Sequence, residues 1–327
     1  MVLAKALLER DAHPVILIGT RATGKSVLLA SLLSFFIRSP DAGALLSLGD
    51  PLLSAENDYG RRVNDKAKRF FNRTVLRFIE GAPPEQTTDA EPYYIPIQLS
   101  PVNRAPNASL AILEVSGEHY MLDRNSDVLV KEMREEIATV YADYPGPISI
   151  IIVAPYLEGD GYLAEADETV QDYERQRIKD IDLSISFALR DYISRRKDRI
   201  DNDRMMILMT KWDVHTGGVA DEDFVRAPDE LVEGLLVDRY PTTLNLCATL
   251  NQRNNDQVTY DVYSAGPMVG DQILPLDIDT QARVNSHAKR VWNWLYHNVH
   301  PGVNLNLKAS RKESGGLKGV LGKLFLG

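Results

Sequence analysis

Cysteine is almost absent from the chain, because Cys247 is the only one among 327 residues. A single cysteine excludes an internal disulfide and is typical of a protein from a reducing compartment. No apolar run in the sequence approaches the roughly 18 residues that a membrane-spanning helix needs. Residues 1–10 are mildly amphipathic and lead directly into a predicted strand, which leaves little room for a cleavable signal peptide. These absences predict a cytoplasmic protein.

Positive charge is also scarce, since 37 Lys and Arg stand against 46 Asp and Glu, a formal net charge of −9. An acidic chain is a poor candidate for broad nucleic-acid binding, so no nucleic-acid partner is expected. Residues 301–327 differ, with five basic residues against Glu313 and with glycines interleaved among apolar residues. This composition predicts a flexible basic tail. The tail either contacts a partner or a membrane surface, or it is disordered or folded back on its domain. Contact with a membrane surface would make the protein peripheral to a membrane.

A glycine-rich loop follows the first predicted strand. Residues 15–18 form a short, β-branched apolar run typical of a buried strand, and residues 27–37 have the apolar character of a helix. Between them lies a Gly-x-x-x-x-Gly-Lys-Ser motif, the pattern of a phosphate-binding loop. The motif and the first helical residue after it are Gly19, Thr20, Arg21, Ala22, Thr23, Gly24, Lys25, Ser26 and Val27.

The residue types in this loop suit an anionic ligand. Backbone N–H groups of the loop and of the helix start point towards the anion, and glycines let the backbone approach it closely. Lys25 can reach the β- and γ-phosphates of a nucleotide, and the Ser26 hydroxyl can bind Mg²⁺. A chance glycine turn before a helix is disfavoured, because a strand and a helix both flank the full motif.

Predicted strands and helices alternate along the rest of the chain. Strands are predicted at residues 93–99, 110–115, 148–153, 205–209 and 258–263. Helices are predicted at 56–80, 123–141, 170–196 and 280–298 and, in pieces, over 221–249, with a connector at 39–51 and loops at 81–89 and 201–203. The alternation predicts an α/β fold with a mixed, mostly parallel sheet. We expect one domain over residues 1–300, with insertions at about 40–86 and 221–256.

The element Thr210-Lys211-Trp212-Asp213 follows the predicted strand at 205–209. A carboxylate at a strand end can accept hydrogen bonds from guanine N1–H and from the guanine 2-amino group. Adenine has an acceptor at N1 and no 2-amino group, so the same carboxylate would be left unpaired, and unpaired buried groups make such sites selective. The Lys211 stem can cover the base. The alternative is a surface turn that happens to contain a lysine and an aspartate.

Two further elements also come directly after or at the end of predicted strands. Ser264, Ala265 and Gly266 are small enough to let backbone N–H groups approach guanine O6, at a position where open α/β sheets bind ligands. The second element runs over residues 113–118. Its Glu114 could hold Mg²⁺ through water, and its Gly117 could donate to a γ-phosphate and swing when that phosphate leaves.

Together these motifs resemble P-loop GTPases of the translation-factor-related class, which have a Ras-like core. The family pattern is a phosphate loop, a switch I threonine, Asp-x-x-Gly, Asn-Lys-x-Asp and a Ser-Ala element, in that order on successive strands. Counterparts of all five lie between residues 16 and 266, and the core-like order runs to about residue 298. More loosely, the Pro-Pro-x-x-Thr loop and the later Gly-Glu are similar to bacterial stand-alone GTPases of multigene conflict or defence operons, including their double-GTPase relatives.

The resemblance implies a three-layer P-loop NTPase fold and a Mg²⁺-dependent GTPase that binds GTP and GDP and signals to, or assembles with, protein partners. It implies that Gly24, Lys25 and Ser26 bind phosphates and Mg²⁺. It also implies a switch I threonine at Thr87 or Thr88, and the spacing from Pro83 and Pro84 favours Thr87. Near the phosphates, it implies a Walker B acid at Glu114 and a γ-phosphate sensor at Gly117. For the base, it implies that Lys211 and Asp213 read guanine and that Ala265 contacts O6.

Four residues depart from the family pattern. Glu114 stands where Asp is expected, which lengthens the link to the metal, and Thr210 replaces Asn. Glu118 follows Gly117 where many members place the Gln that orients the attacking water. Arg21 lies inside the phosphate loop and is either an arginine finger supplied in cis or, as we favour, a solvated side chain.

Two other classes of function stay open. One is a structural subunit that holds a nucleotide and hydrolyses it poorly, as Glu114 and Glu118 would suit. The other is an ATPase that shares only the phosphate loop. The insertion helix at 56–80, the segment at 221–249 and the tail exceed what nucleotide binding needs, so we expect partners to bind there.

Overall fold

The computed structural model of the chain describes residues 2–21, 23–39, 42–54, 56, 58–84, 93–114, 135–157, 168–219, 221–254, 257–269, 272–303, 305 and 307. Seven strands in this part of the chain form one mixed sheet in the order β2-β3-β4-β1-β5-β6-β7. A two-stranded hairpin, β8 and β9, lies apart from it. The strands are β1 His13–Ile18, β2 Ala44–Leu48, β3 Tyr93–Pro101, β4 Ala108–Glu114, β5 Ser149–Pro155, β6 Arg204–Thr210, β7 Val258–Tyr263, β8 Met268–Val269 and β9 Gln272–Ile273.

Four of the six strand pairings are parallel: β1 with β4, β1 with β5, β5 with β6, and β6 with β7. β3 runs antiparallel to both of its neighbours, β2 and β4. The helices are α1 Val2–Glu9, α2 Lys25–Arg38, α3 Asp58–Arg69, α4 Val75–Ile79, α5 Glu135–Asp143, α6 Glu168–Arg196, α7 Trp212–His215, α8 Asp229–Arg239, α9 Pro241–Arg253 and α10 Ile278–Val299.

The central strands are covered on both faces. Every residue of β1 and β5 is buried, which explains why both read as continuous apolar runs rather than alternating ones. The helices pack in two groups, α2 with α4 and α10, and α6 with α5 and α9. These layers confirm the predicted α/β class with a mostly parallel sheet.

The connector predicted at residues 39–51 is wrong, because it contains the edge strand β2. β2 pairs antiparallel with β3 and alternates buried Ala44 and Leu46 with exposed Leu45 and Ser47. Its sequence has no β-branched or aromatic residue, so strand propensity gave no signal. The sheet decides its conformation, because pairing with β3 satisfies its backbone hydrogen bonds.

The predicted helix at 56–80 is confirmed as α3, a short π-helical segment at Phe70–Thr74, and α4. Of the helix predicted at 123–141, only α5 lies within the described residues, as do only residues 81–84 of the predicted loop. The loop predicted at 201–203 is wrong in part, because a 3₁₀ helix extends from Lys197 to Asn202.

The chain stays packed beyond the end of α10. Leu305 and Leu307 are both buried in the main apolar core. Residues 308–327, which hold most of the predicted tail, lie outside the described residues. Within the described part of the chain, no helix is both long and apolar enough to cross a membrane.

Candidate nucleotide-binding site

The predicted motifs follow strands that end at the same edge of the sheet. The phosphate loop follows β1, the Lys-Trp-Asp turn follows β6, and residues 264–266 follow β7. β4, which ends at Glu114, runs parallel to β1, so its carboxyl end lies at that edge too. The register pairs at these ends are Ile16 with Leu113, Ile18 with Ile152, Pro155 with Thr210, and Thr210 with Tyr263.

Two glycines shape the phosphate loop. Gly24 has φ 91° and ψ 16° and forms the N-cap of α2, where it offers no side chain to cap the first N–H groups. A Cβ on Gly19 would lie 2.8 Å from Thr23 Oγ1 and 3.2 Å from Val153 Cβ, which is too close. Thr23 Oγ1 donates to the Thr20 carbonyl at 2.9 Å, and this hydrogen bond stabilises the turn within the loop. The loop therefore keeps the N-terminus of α2 available to an anion.

Lys25 is folded back over this loop. Its Nζ donates to the carbonyl oxygens of Gly19 at 2.5 Å and Thr20 at 2.9 Å, and the side chain is buried. Ser26, the next residue of α2, is half-buried, whereas Arg21 is exposed. The ammonium of Lys25 therefore lies within the loop, where the positive end of α2 already favours an anion.

Thr210 joins the phosphate loop to the turn after β6. Its Oγ1 donates to the Thr23 carbonyl at 3.4 Å, and its own carbonyl accepts from the Tyr156 N–H at 2.7 Å. Lys211 then takes a left-handed conformation, with φ 61° and ψ 37°. A non-glycine residue in that region is strained, and such strain concentrates at functional sites. This turn reverses the chain so that Asp213 reaches the loop after β7.

Asp213 and Ser264 form the contact between the two loops. Ser264 Oγ donates to Asp213 Oδ1 at 2.5 Å and accepts from the Gly266 N–H at 3.0 Å. Burial raises the pKa of the Asp213 carboxyl, and the hydrogen bond from Ser264 opposes that rise. Among the described residues, Asp213 forms no salt bridge. Because an ionised carboxylate can accept about four hydrogen bonds, capacity remains for a ligand.

Sequence reasoning missed His287, on α10. Its Nδ1 accepts from the Ser264 N–H at 2.8 Å, and its Nε2 lies 2.7 Å from the Phe224 carbonyl. Burial lowers the pKa of His287 to about 3, so the ring is neutral. One signal was available, because His287 shares the buried face of α10 with Val284 and Val291. A histidine in such an apolar stripe needs a buried hydrogen-bond partner.

The structure describes the remaining predicted site residues only in part. Of Glu114, the backbone is described as the last position of β4. Val27 and Ala265 are partly buried against a small cluster formed by Ala30, Phe78 and Ile273. The predicted site residues outside the described part of the chain are Ala22, Thr87, Thr88, Gly117 and Glu118.

No protein-family model matches the sequence, and no curated protein matches it significantly. By structure, the chain is similar to the signal recognition particle receptor SRb–GTP/SRX complex from Chaetomium thermophilum, at 16% identity and a TM-score of 0.40, over 87% of this chain and 97% of that one. It is also similar to the S. cerevisiae Ski7 GTPase-like domain bound to GTP, at 11% identity and a TM-score of 0.36, over 88% of this chain and 50% of that one.

The same Ski7 domain bound to GDP and inorganic phosphate gives 12% identity and a TM-score of 0.32, over 78% of this chain and 43% of that one. The chain thus spans half or less of the Ski7 chains. All three TM-scores lie below 0.5, so the function is inferred from the residues at the sheet edge rather than from these likenesses.

Proposed function

We propose that the chain binds GTP, hydrolyses it with Mg²⁺ and acts as a molecular switch. The observation that carries the proposal is the position of Asp213, which is hydrogen-bonded to Ser264 at the sheet edge that also holds the phosphate loop. A phosphate loop alone suits any nucleoside triphosphate. A half-buried carboxylate at the same sheet edge favours guanine, because only guanine brings N–H donors to both acceptor positions.

The phosphates would bind to the α2 N-terminus and Lys25. Lys25 Nζ has neutral carbonyl acceptors at Gly19 and Thr20, and a phosphate would supply an anionic acceptor in the same loop. Hydrogen bonds between charged partners are roughly twice as strong as neutral ones. The first N–H groups of α2, to which Gly24 offers no side-chain cap, would add their own donors.

Magnesium would be held by few protein groups. Mg²⁺ usually keeps several waters and binds one or two protein oxygens together with substrate phosphates. No group of three or more His, Cys, Asp or Glu side chains in the described residues could hold a metal ion. The Ser26 hydroxyl, beside Lys25 at the start of α2, suits a Mg²⁺ ion that is held by few protein oxygens. We propose Thr87 and Glu114 as the further protein ligands of this ion. When bound, the metal neutralises phosphate charge.

Hydrolysis would proceed by in-line attack of water on the γ-phosphate, with catalysis mostly by positioning and charge stabilisation. We propose that Glu118 orients the water, and that Thr87 and Gly117 hold their loops to the γ-phosphate until it leaves. We propose that Arg21, which is exposed, does not act as an arginine finger. The two insertions and the tail are the proposed partner surfaces, and a bacterial conflict or defence system is the proposed setting.

A single-turnover assay with γ-phosphate-labelled GTP tests hydrolysis directly. We expect phosphate release that needs Mg²⁺ and falls at least about a hundredfold in Lys25→Ala, the size of effect expected when one preorganised charge is removed. Lys5→Ala is the matched control, because Lys5 is an exposed lysine on α1. Bound GTP that is not hydrolysed would instead favour a structural subunit that only holds the nucleotide. Equal release from ATP would favour an ATPase.

A further inference from the structure

Residues 221–225, here called the strap, lie against α10 and are held there through their backbone carbonyls. Four side chains donate hydrogen bonds to these carbonyls, and three of them, Arg283, His287 and Arg290, are spaced to share one face of α10. The four bonds run from Arg283 Nη2 to Asp221 O, from Trp212 Nε1 to Asp223 O at 3.0 Å, from His287 Nε2 to Phe224 O at 2.7 Å, and from Arg290 Nη1 to Val225 O at 2.6 Å.

Two neighbouring strap carbonyls are bonded to side chains that lie next to Asp213 and Ser264, the two residues of the proposed guanine site. The Asp223 carbonyl accepts from Trp212, a fully buried residue next to Asp213 in the turn after β6. The Phe224 carbonyl is bonded to His287, which in turn accepts from the Ser264 N–H at 2.8 Å. Because these carbonyls are adjacent in one peptide segment, the strap joins the turn after β6, which holds Asp213, to the loop after β7, which holds Ser264.

Hydrogen-bond chemistry settles the tautomer of His287. The Ser264 backbone N–H can only donate, so His287 Nδ1 must be the unprotonated nitrogen. The Phe224 carbonyl can only accept, so Nε2 carries the proton. The Phe224 ring stacks on the imidazole at a centroid distance of 4.8 Å and shields it. A protonated ring could not accept from Ser264, and burial disfavours that state.

From this geometry we infer that His287 is a positioning residue for guanine recognition, which links the strap to the Ser264–Asp213 pair. The inference rests on the proposed guanine site. His287 does not reach the base; it holds the Ser264 backbone, and Ser264 Oγ then holds Asp213 Oδ1 at 2.5 Å. Loss of the His287 acceptor should therefore loosen the base reader and leave the phosphate loop intact. The effect should appear in selectivity for guanine rather than in affinity for phosphates.

The test is equilibrium binding of fluorescent GDP and ADP to the full chain with Mg²⁺, with the ratio of the two dissociation constants as the readout. His287→Leu removes both hydrogen bonds. His287→Asn places an amide oxygen near the Nδ1 position and keeps an acceptor for Ser264, whereas His287→Gln keeps only the donor to Phe224. Asn285→Ala is the matched control, because Asn285 is also buried on α10 but bonds to Ser39.

We expect His287→Leu to lower the preference for GDP over ADP about tenfold, almost wholly through weaker GDP binding. His287→Gln should behave like His287→Leu, and His287→Asn should retain most of the preference. Asn285→Ala should lower the melting temperature without changing the ratio. If His287→Leu does not fold, the contrast between the Asn and Gln variants carries the same expectation.

Two different failures can be told apart. A wild-type chain that prefers GDP, with the same preference in His287→Leu and His287→Gln, would overturn the role of His287 and leave the proposed function standing. A wild-type chain that binds ADP as well as GDP would overturn the proposed guanine site and this inference with it.

Discussion

Two aspartates, the buried Asp203 and the half-buried Asp213, stand at opposite ends of β6 and have different surroundings. Asp203, just before the strand, accepts from Arg196 Nε and Nη2, both at 2.7 Å, from the Tyr192 hydroxyl at 2.5 Å and from the Ile148 N–H at 2.9 Å. The Arg196–Asp203 pair is wholly buried. Asp213, just after the strand, has one hydroxyl donor, Ser264, and no salt bridge among the described residues.

The difference separates a carboxylate whose acceptor positions are filled by the protein from one that can still accept hydrogen bonds from a ligand. Asp203 has its acceptor positions filled, and Arg196 also donates to the carbonyls of Tyr144 and Gly146, so the cluster ties α6 to the loop before β5. Asp213 is half-buried and keeps acceptor capacity at the edge where the phosphate loop lies. A carboxylate with few hydrogen-bond donors at this edge therefore indicates a ligand site more clearly than burial alone does.

Removing Asp203 should produce the largest effect. Asp203→Ala leaves the Arg196 guanidinium buried without its carboxylate, and breaking such a pair lowers the free energy of unfolding by about 3–5 kcal/mol. Urea denaturation measures this loss. Asp201→Ala, at an exposed position in the same segment, should change the free energy of unfolding by less than about 0.5 kcal/mol. Equal losses in the two variants would remove the structural role assigned to Asp203.

Asp213→Asn should change ligand preference and leave stability nearly intact. The carboxamide replaces an acceptor by a donor, so GDP should bind about a hundredfold more weakly, as expected for an unpaired buried group. Xanthosine diphosphate, which has a carbonyl oxygen in place of the 2-amino group, should then be preferred. Competition titrations measure both changes. Asp223→Asn, an exposed position nearby, is the control, and unchanged GDP binding in Asp213→Asn would contradict the guanine reader.

Two histidines, His13 at the start of β1 and His287 on α10, are buried in the neutral form, which predicts a dependence of stability on pH. Burial lowers the pKa of His13 to about 4 and that of His287 to about 3, from 6.5 in an unfolded chain. The unfolded state therefore binds more protons, so stability is full above pH 6.5 and falls as the pH drops towards the folded values. Each histidine should contribute a slope of about 1.4 kcal/mol per pH unit.

Urea denaturation between pH 6 and pH 5 measures this slope. His13 Nε2 lies 2.8 Å from Ser149 Oγ, far from the candidate site. His13→Asn should remove one histidine's share of the slope without changing GDP binding. A flat profile in the wild-type chain would show that neither histidine stays neutral in the folded state.

Ser264→Ala should produce the smallest effect. The Ser264 hydroxyl stabilises ionised Asp213, so its loss should raise the pKa of that carboxyl further. GDP affinity should fall about tenfold at neutral pH, as for His287→Leu, because both changes loosen the contact between Ser264 and Asp213. The decline of GDP affinity in acid should begin at a higher pH than in the wild-type chain. Titrations of fluorescent GDP across pH measure this shift. Thr249→Ala, at an exposed position on α9, should leave the profile unchanged.

The sequence predicted the elements whose signal is local. Continuous apolar runs identified β1, β5 and β6, and the glycine-lysine-serine spacing identified the phosphate loop. Asp213 was predicted from the hydrogen bonds that a carboxylate at a strand end can accept from guanine, and Lys211 from its stem, which can cover the base. Ser264 and Ala265 were predicted from their position at a strand end, where α/β sheets bind ligands.

The features that escaped prediction depend on residues distant in the chain. β2 has no strand propensity of its own and forms because β3 is beside it. The partners of Asp203 lie 7 to 55 residues away, and Ser264 lies 23 residues from His287. No local pattern encodes such pairs, so the buried ion pair of Asp203 with Arg196 is visible only in the folded structure.

The most direct test is competition of unlabelled GDP and ADP against fluorescent GDP, with Mg²⁺, on the wild-type chain and Asp213→Ala. We predict that GDP displaces the probe from the wild-type chain at far lower concentration than ADP does, and that Asp213→Ala loses this preference. Equal displacement by ADP and GDP in the wild-type chain would contradict the proposed guanine site, because Asp213 would then be an ordinary half-buried carboxylate in a turn.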